Sequence, residues 1–175
     1  PGLAGEATSK AIKKIAESDS VSEIYYDGKA QTFSPDENSS LKESILREEY
    51  VSPAQIIKAD KLWEKGIDGQ GTTVAVIDSG IDKNHPDLIG KVVAEKNFLA
   101  DEITADDLLG HGTMVAGIIA ASGAASNGKY KGIAPGAKLI SVKVIDSNGD
   151  GKVSDIIAGI EWAVYSGADV LSLSL

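Results

Sequence analysis

Two segments of the chain place an aspartate and a histidine where their side chains can share a proton. Asp78 follows the apolar, β-branched run Thr73–Ile77 and precedes a small Ser-Gly turn. His111 stands between glycines at the start of an apolar helical pattern. A carboxylate that holds one imidazole nitrogen fixes the tautomer and makes the imidazole a general base. Brought together by neighbouring strand-to-helix turns, Asp78 and His111 would suit nucleophilic catalysis.

The segments around these residues alternate between strand and helix patterns. Continuous β-branched runs predict strands, and apolar residues at helical spacing predict helices. The predicted elements are helix Ala59–Gly66, strand Thr72–Ile77, loop Asp78–Gly110, helix Thr113–Ala121, loop Ser122–Lys131, strand Lys138–Val144, helix Ser154–Ser166 and strand Val170–Leu175. Ser154 is the expected N-cap of its helix. This alternation predicts an α/β fold with a doubly wound parallel sheet, in which the last strand has neighbours on both sides.

The first part of the chain has a different pattern. Residues Glu6–Ala16 carry apolar side chains at helical spacing, and Val21–Tyr26 alternates as a strand does. A polar linker follows at Ser34–Ser40. We therefore expect a small α+β unit ahead of the main domain.

Composition excludes several classes of partner. The net charge of −9 argues against a nucleic-acid surface and against an anionic membrane. No apolar run approaches the ~20 residues of a membrane span. The chain contains no cysteine, which excludes disulfides and thiolate chemistry. No glycine-rich phosphate-binding pattern follows a strand, so a nucleotide site at the Asp78 turn has little support.

Four motifs resemble those of the subtilisin family of serine endopeptidases, the subtilases. They are Ile77–Asp82 (Ile-Asp-Ser-Gly-Ile-Asp), His85–Leu88 (His-Pro-Asp-Leu), His111–Gly117 (His-Gly-Thr-Met-Val-Ala-Gly) and Gly132–Ala137 (Gly-Ile-Ala-Pro-Gly-Ala). The resemblance runs from about Ala59 to Leu175 and implies the N-terminal half of a subtilisin-like fold. It implies peptide-bond hydrolysis through an acyl-enzyme, with Asp78 orienting His111 as general base. Met114 stands where a histidine is commoner in the family.

The same resemblance implies a catalytic serine and an oxyanion-hole asparagine, which we expect in a C-terminal segment beyond Leu175. Candidate serines within the chain lack the glycine-rich helix start that such a nucleophile needs: Ser79, Ser122, Ser141, Ser172 and Ser174. We therefore expect this chain to be inactive without that segment. The alternative is a truncated, catalytically inactive pseudoprotease, or a module whose N-terminal strand inhibits another protease.

The resemblance extends to the N-terminal part of the chain. It divides the chain into the C-terminal half of a propeptide, a linker with the mature N-terminal extension, and the N-terminal part of the catalytic domain: residues 1–33, 34–50 and 51–175. In the family the propeptide tail inhibits by lying in the substrate cleft, which would place Phe33 in the primary specificity pocket. Cleavage is expected between Phe33 and Ser34, with Leu46–Arg47 as a rival site. A secreted zymogen acting on polypeptides is implied, and an ordinary helix-strand extension is the other interpretation of residues 1–33.

Two binding sites are also implied by the resemblance. Asp87 matches a calcium-ligating aspartate, and Asn127 and Glu48 match further oxygen ligands of a structural Ca²⁺. Substrate would lie as an added strand between two edges, formed by Asn148, Gly149, Asp150 and Gly151 and by Ser174 and Leu175. Residues Asp146–Gly151 also resemble the first half of an EF-hand loop. However, Ile157 stands where the closing glutamate is needed.

Overall fold

The computed structural model describes residues 4–18, 20–32 and 52–175. The helices are α1 (Ser9–Ala16), α2 (Pro53–Ile56), α3 (Ala59–Trp63), α4 (His111–Ala120) and α5 (Val153–Tyr165), with a short 3₁₀ helix at Ala124–Ser126. The strands are β1 (Lys29–Gln31), β2 (Thr73–Asp78), β3 (Val92–Asn97), β4 (Lys138–Lys143), β5 (Asp150–Lys152) and β6 (Val170–Leu173). Within these ranges no helix is long and apolar enough to cross a bilayer.

A four-stranded sheet forms the centre of the fold, in the order β3-β4-β2-β6. All its neighbouring strands run parallel. Strands β2 and β4 pair from Thr73 opposite Lys138 to Asp78 opposite Lys143, so Asp78 lies at the carboxyl end of a central strand. Ligand sites in open α/β sheets form at this edge. The predicted α/β fold with a parallel sheet is confirmed.

Each face of the sheet is covered by a different helix. Successive side chains of a strand point to opposite faces. Val76 of β2 therefore packs in one apolar cluster with Val115 of α4. Its neighbour Ile77 packs in a second cluster with Ala163 of α5. Burial on both faces explains why β2 is a continuous apolar run from Val74 to Ile77.

Strand β3 lies inside the segment Asp78–Gly110 that the sequence predicted as a loop, and that prediction is wrong. β3 pairs with β4 only, at the edge of the described sheet. It carries Glu95 and Lys96, whose charges are tolerated because an edge strand faces solvent on one side. Those charges hid the strand pattern in the sequence.

The predicted strand Val21–Tyr26 is also wrong. No regular element covers these residues, and Tyr25 and Tyr26 are 79% and 90% exposed. The strand of this region is β1, which is antiparallel to β5. A segment with an alternating pattern forms a strand only when another strand lies beside it. In this region β5 pairs with β1 and not with Val21–Tyr26.

Ser154 is not the N-cap of its helix. Helix α5 begins one residue earlier, and the cap position is Lys152, whose side chain makes no capping bond. The Ser154 backbone N–H and hydroxyl instead donate to the carboxylate of Asp27, at 2.8 and 2.5 Å. These bonds hold the pKa of Asp27 below its ordinary value, the hydroxyl bond being the larger cause. A carboxylate from the N-terminal segment therefore caps α5.

Strand β6 lies at the other edge of the described sheet. It pairs with β2, and Val170 and Leu173 are about half exposed. The second neighbour that the sequence predicts for this apolar strand is not among the described residues. It stays a prediction.

Candidate active site

The end of β2 and the start of α4 bring Asp78 and His111 into direct contact. Nδ1 of His111 lies 2.8 Å from Oδ1 and 2.9 Å from Oδ2 of Asp78. The Asp78 side chain is 1% exposed and that of His111 is 13% exposed. An ionised carboxylate can only accept, so the contact places the imidazole proton on Nδ1 and leaves Nε2 as a proton acceptor. The pair has the arrangement of a carboxylate-oriented general base.

Backbone contacts fix the position of the Asp78 carboxylate. The Ser79 N–H donates to Oδ1 of Asp78 at 2.7 Å. The Asp78 carbonyl accepts from the N–H groups of Val144 and Ile145, which follow β4. Asp78 is thus held from both its main chain and its side chain, which limits the orientations available to the imidazole.

Gly112 permits helix α4 to approach the end of β2. A Cβ built at Gly112 would overlap the Gly80 carbonyl oxygen and would lie 3.2 Å from both Cβ and Oδ1 of Asp78. The residue is buried and follows His111 directly. No larger side chain fits without moving the helix away from Asp78.

Asp107 is a residue of this site that the sequence analysis missed. Its Oδ1 accepts from the Ser79 hydroxyl and from two backbone N–H groups, and its Oδ2 accepts from the N–H and hydroxyl of Thr113. Burial raises the pKa of Asp107, but the hydrogen bonds from Thr113, Gly110 and Ser79 together lower it further, so it lies below its ordinary value. An aspartate shortly before a predicted helix start was the available signal.

Lys143 is the second residue that the sequence analysis missed. Lys143 stands opposite Asp78 in the register of β2 and β4, and its side chain is fully buried. Nζ donates to the carbonyls of Ser79 (2.6 Å) and Asp106 (3.1 Å) and lies 3.0 Å from Oε2 of Glu102. Lys143 therefore ties the turn after Asp78 to the segment before His111.

Glu102 completes this buried ion pair. Its Oε1 accepts from the Ser147 N–H at 2.9 Å, which connects the pair to the turn before β5. Burial raises the pKa of Glu102, but the Ser147 N–H and the Lys143 ammonium lower it, and the net shift is downward. The carboxylate is therefore held in its charged form.

Replacing Lys143 with methionine is expected to lower the free energy of unfolding by about 3–5 kcal/mol, because Glu102 would keep a charge without its partner. Urea unfolding measures this loss. Lys138→Met is the matched control, since Lys138 begins the same strand but is exposed, and it should change stability by about 0.5 kcal/mol or less. Adding Glu102→Gln to Lys143→Met should recover part of the loss. Equal stability of the two lysine variants would contradict the assignment.

The residues predicted to bind substrate backbone lie beside the N-terminal segment. Strand β1 runs antiparallel to β5, with Ala30 opposite Gly151 and Gln31 opposite Asp150. The Thr32 N–H donates to the Gly149 carbonyl at 3.2 Å, which extends the ladder by one residue. The N-terminal segment is thus a strand added to this edge. Phe33 and Ser34 lie outside the described residues.

The two glycines of this edge serve different purposes. Gly149 has φ +87°, and a Cβ there would lie 3.2 Å from Oγ1 of Thr32. A Cβ at Gly151 would instead lie 2.6 Å from Cδ1 of Ile145 and from the Val144 carbonyl oxygen. Gly151 is therefore required by contact with its own chain at Ile145 and Val144, while Ala30 of β1 lies opposite it in the ladder.

The remaining predicted substrate residues make fewer contacts. Asn148 lies in the turn before β5, where its N–H and that of Asp150 both donate to Oδ1 of Asp146. Asp146 therefore accepts the hydrogen bonds that close this turn. Ser174 and Leu175 follow β6, are exposed, and do not belong to the β1–β5 ladder.

Asp87 lies beneath the loop that contains Asn127. It is 8% exposed, and its Oδ1 accepts from the Ala125 N–H (2.9 Å) and the Ser122 hydroxyl (3.3 Å). Asn127 has φ 52°, directly after the 3₁₀ helix. In the described part of the chain no group of three or more His, Cys, Asp or Glu residues is placed to hold a metal ion. An ion here would depend on Asp87 and on loop oxygens; Glu48 lies outside the described residues.

Known proteins match this chain over more than half of its length. Residues 69–175 match the model of a family described as the Subtilase family. The Major intracellular serine protease of Bacillus subtilis (strain 168) is 44% identical over 126 residues, covering 69% of this chain and 39% of that protein. Subtilisin DY of Bacillus licheniformis is 42% identical over 120 residues, covering 69% of this chain and 42% of its own length. The Minor extracellular protease Vpr of Bacillus subtilis (strain 168) is 38% identical over 155 residues, covering 79% and 19%.

The chain spans less than half the length of each of these relatives. The matched region contains Asp78 at the end of β2, His111 at the start of α4, and strand β5. It also covers more than half of the chain. On this evidence the chain belongs to the subtilase family.

Proposed function

We propose that the protein is a serine endopeptidase that cleaves polypeptides through an acyl-enzyme. The observation that carries the proposal is the 2.8 Å contact between Nδ1 of His111 and the buried carboxylate of Asp78. It lies at the carboxyl edge of a parallel sheet, in a chain of the subtilase family. The serine nucleophile and the oxyanion-hole asparagine would come from a segment beyond Leu175.

Asp78 and His111 have distinct parts in the proposed reaction. The Asp78 carboxylate holds Nδ1–H and stabilises the imidazolium that forms. Nε2 of His111 removes the serine proton as the hydroxyl attacks the peptide carbonyl, and then delivers that proton to the leaving amine. Water repeats the sequence to release the acid. Asp78 stays ionised throughout.

Hydrolysis of a chromogenic peptide by the complete protein tests the proposal. We expect activity that a serine-directed covalent inhibitor abolishes, and no activity from the 1–175 chain alone. The alternative, an inactive pseudoprotease or an inhibitory module, predicts no turnover from the complete protein. Inhibition of a separate subtilase by residues 1–33, together with no turnover from the complete protein, would favour the inhibitory module. Turnover that resists the serine reagent would overturn the proposed mechanism.

The N-terminal segment is proposed to be a propeptide tail that occupies the substrate edge of its own enzyme. Its strand β1 pairs with β5 in the manner of an added strand. Asp27 caps α5 at the same time, and Gln31 Nε2 donates to the Asp150 carboxylate at 2.6 Å. These two side-chain contacts hold the N-terminal segment in place in addition to the strand pairing. They support the proposal that the segment stays bound until it is cut.

Maturation is expected to cut between Phe33 and Ser34. An apolar residue suits the primary specificity pocket, and the β1–β5 ladder already reaches Thr32. N-terminal sequencing of the activated enzyme decides the site: Ser34 supports it, and Arg47 supports the rival cut at Leu46–Arg47. An active enzyme that keeps residues 21–33 attached would exclude the propeptide interpretation.

A structural calcium ion is proposed at Asp87, with Asn127 and Glu48 as further ligands. Support comes from Asp87, a buried carboxylate held against the Ala125 N–H at the edge of this loop, because Ca²⁺ prefers oxygen ligands. Calcium would stabilise the loop that covers Asp87.

Saturating Ca²⁺ is expected to raise the thermal midpoint of the complete protein, because an ion that binds only the folded state stabilises it by mass action. Asp87→Asn should lose most of that gain. Asp101→Asn, at an exposed position, should keep it. A midpoint that does not respond to calcium in the unmodified protein would exclude the site.

The place where the protein acts is proposed to be outside the cytoplasm. One relative is named as an extracellular protease and another as an intracellular one, so the family admits both. Support for export comes from the proposed propeptide, since a zymogen delays activity until after synthesis. Detection of the mature enzyme in the culture medium tests this.

A further inference from the structure

We propose that Asp107 is a positioning residue that holds the Asp78–His111 pair in its reactive geometry. This inference rests on the proposed peptidase function. Asp107 does not touch either residue of the pair. It acts through Ser79, which is joined to Asp78, and through the first turn of α4, which begins at His111.

All five groups that surround the Asp107 carboxylate are hydrogen-bond donors. Oδ1 accepts from the Ser79 hydroxyl (2.8 Å), the Leu109 N–H (3.1 Å) and the Gly110 N–H (2.8 Å). Oδ2 accepts from the N–H (2.8 Å) and the hydroxyl (2.6 Å) of Thr113. Only an ionised carboxylate offers two acceptor oxygens and no donor. An asparagine would have to place its NH₂ group against one of these donors.

Ser79 links this carboxylate to Asp78 and to the residue that follows His111. Its hydroxyl donates to Asp107 and accepts from the Gly112 N–H at 2.9 Å. The Ser79 N–H donates to Oδ1 of Asp78 at 2.7 Å. One residue thus contacts Asp107, the Asp78 carboxylate and the residue after His111.

Thr113 forms a second link. Its hydroxyl donates to Asp107 and accepts from the Asp82 N–H at 2.9 Å. The turn after β2 is therefore fastened to the first turn of α4 at two points, Ser79 and Asp82. Loss of the Asp107 acceptors would let α4 rotate relative to β2, and His111 would move with it.

A role in helix capping alone would also explain bonds to Gly110 and Thr113. The two roles differ in what a substitution changes. A cap affects the amount of folded protein, whereas a positioning residue affects turnover by each folded molecule.

The test compares Asp107→Asn with Asp106→Asn in the complete enzyme. Asp106 is the adjacent exposed residue, and it contacts Lys143 through its carbonyl only. Turnover is measured per active site, with the folded fraction determined separately. Asp107→Asn should lower kcat by about 100-fold with KM changed less than threefold, and Asp106→Asn should change neither by more than about twofold. A kcat for folded Asp107→Asn within threefold of the unmodified enzyme would overturn the proposal.

Ser79→Ala keeps the inference testable if Asp107→Asn does not fold. It removes one donor to Asp107 and the acceptor for the Gly112 N–H but keeps the helix contacts of Asp107 itself. We expect about a tenfold lower kcat at unchanged KM. An unchanged kcat in folded Ser79→Ala would overturn the link through Ser79.

A spectroscopic measurement separates this inference from the proposed function. The proton between His111 Nδ1 and Asp78 is expected to give a downfield NMR signal that does not require turnover. Asp107→Asn should shift or broaden this signal, and Asp106→Asn should leave it unchanged. If the unmodified protein is inactive but the signal changes in this way, the peptidase proposal fails while the positioning role stands. A signal that Asp107→Asn leaves unaltered overturns the positioning role.

Discussion

Replacing Asp78 with asparagine is expected to lower kcat of the complete enzyme by about 10⁴-fold, with little change in KM. The Ser79 N–H points at Oδ1 of Asp78, so the amide oxygen of asparagine would keep that place. The NH₂ group would then take the place of Oδ2, 2.9 Å from Nδ1 of His111, where it favours the tautomer with the proton on Nε2. That nitrogen could no longer accept the serine proton.

Asp82→Asn is the matched control for Asp78→Asn. Asp82 lies in the same turn segment but is exposed, and its carboxylate accepts from the Asn84 N–H. It should retain kcat within about threefold. Circular dichroism of both variants should match the unmodified protein, because asparagine is nearly isosteric with aspartate. Retention of a tenth or more of the activity by Asp78→Asn would exclude Asp78 from the proton transfer.

Gly112→Ala is expected to lower activity strongly and to destabilise the protein. The added methyl group would overlap the Gly80 carbonyl oxygen and crowd the Asp78 carboxylate. Both obstacles belong to backbone or to the buried site, so neither can move aside cheaply. Overpacking of this kind costs about 1–3 kcal/mol of stability, and displacement of His111 should lower kcat by about 100-fold or more.

Gly117→Ala provides the contrast within the same helix. A Cβ at Gly117 meets no atom within 4 Å, and alanine favours a helix interior by about 0.5–1 kcal/mol. It should therefore keep or raise the thermal midpoint and keep full activity. If the two variants behave alike, the close approach of α4 to β2 is not what Gly112 provides.

The central sheet and the pair Asp78–His111 could be predicted because their signals are local. A buried parallel strand is a continuous apolar run, and the two side chains stand directly at the end of a strand and the start of a helix. Lys143 could not be predicted as a functional neighbour. Its importance depends on Glu102 and on the Ser79 carbonyl, which reach it only after the sheet has formed.

The errors in secondary structure have the same origin. Alternation at Val21–Tyr26 is a local pattern, but a strand is a pairing between two segments, and β5 pairs with Lys29–Gln31. Conversely, β3 is a strand because β4 is beside it, although its charged residues resemble a loop. The N-cap of α5 was assigned to Ser154 because Asp27, which is remote in sequence, could not be foreseen as the capping group.

Because the Lys143 side chain is fully buried, its rate of chemical labelling would report local opening of the fold. An ammonium with no exposed surface cannot react with an acylating reagent in the closed state, whereas the exposed Lys138 on the same strand reacts at once. Acylation of Lys143 under native conditions would therefore proceed at a rate set by local opening between the Asp78 turn and the segment before His111. The ratio of the two labelling rates would follow how often the Asp78 turn and the segment before His111 separate, without any substrate being present.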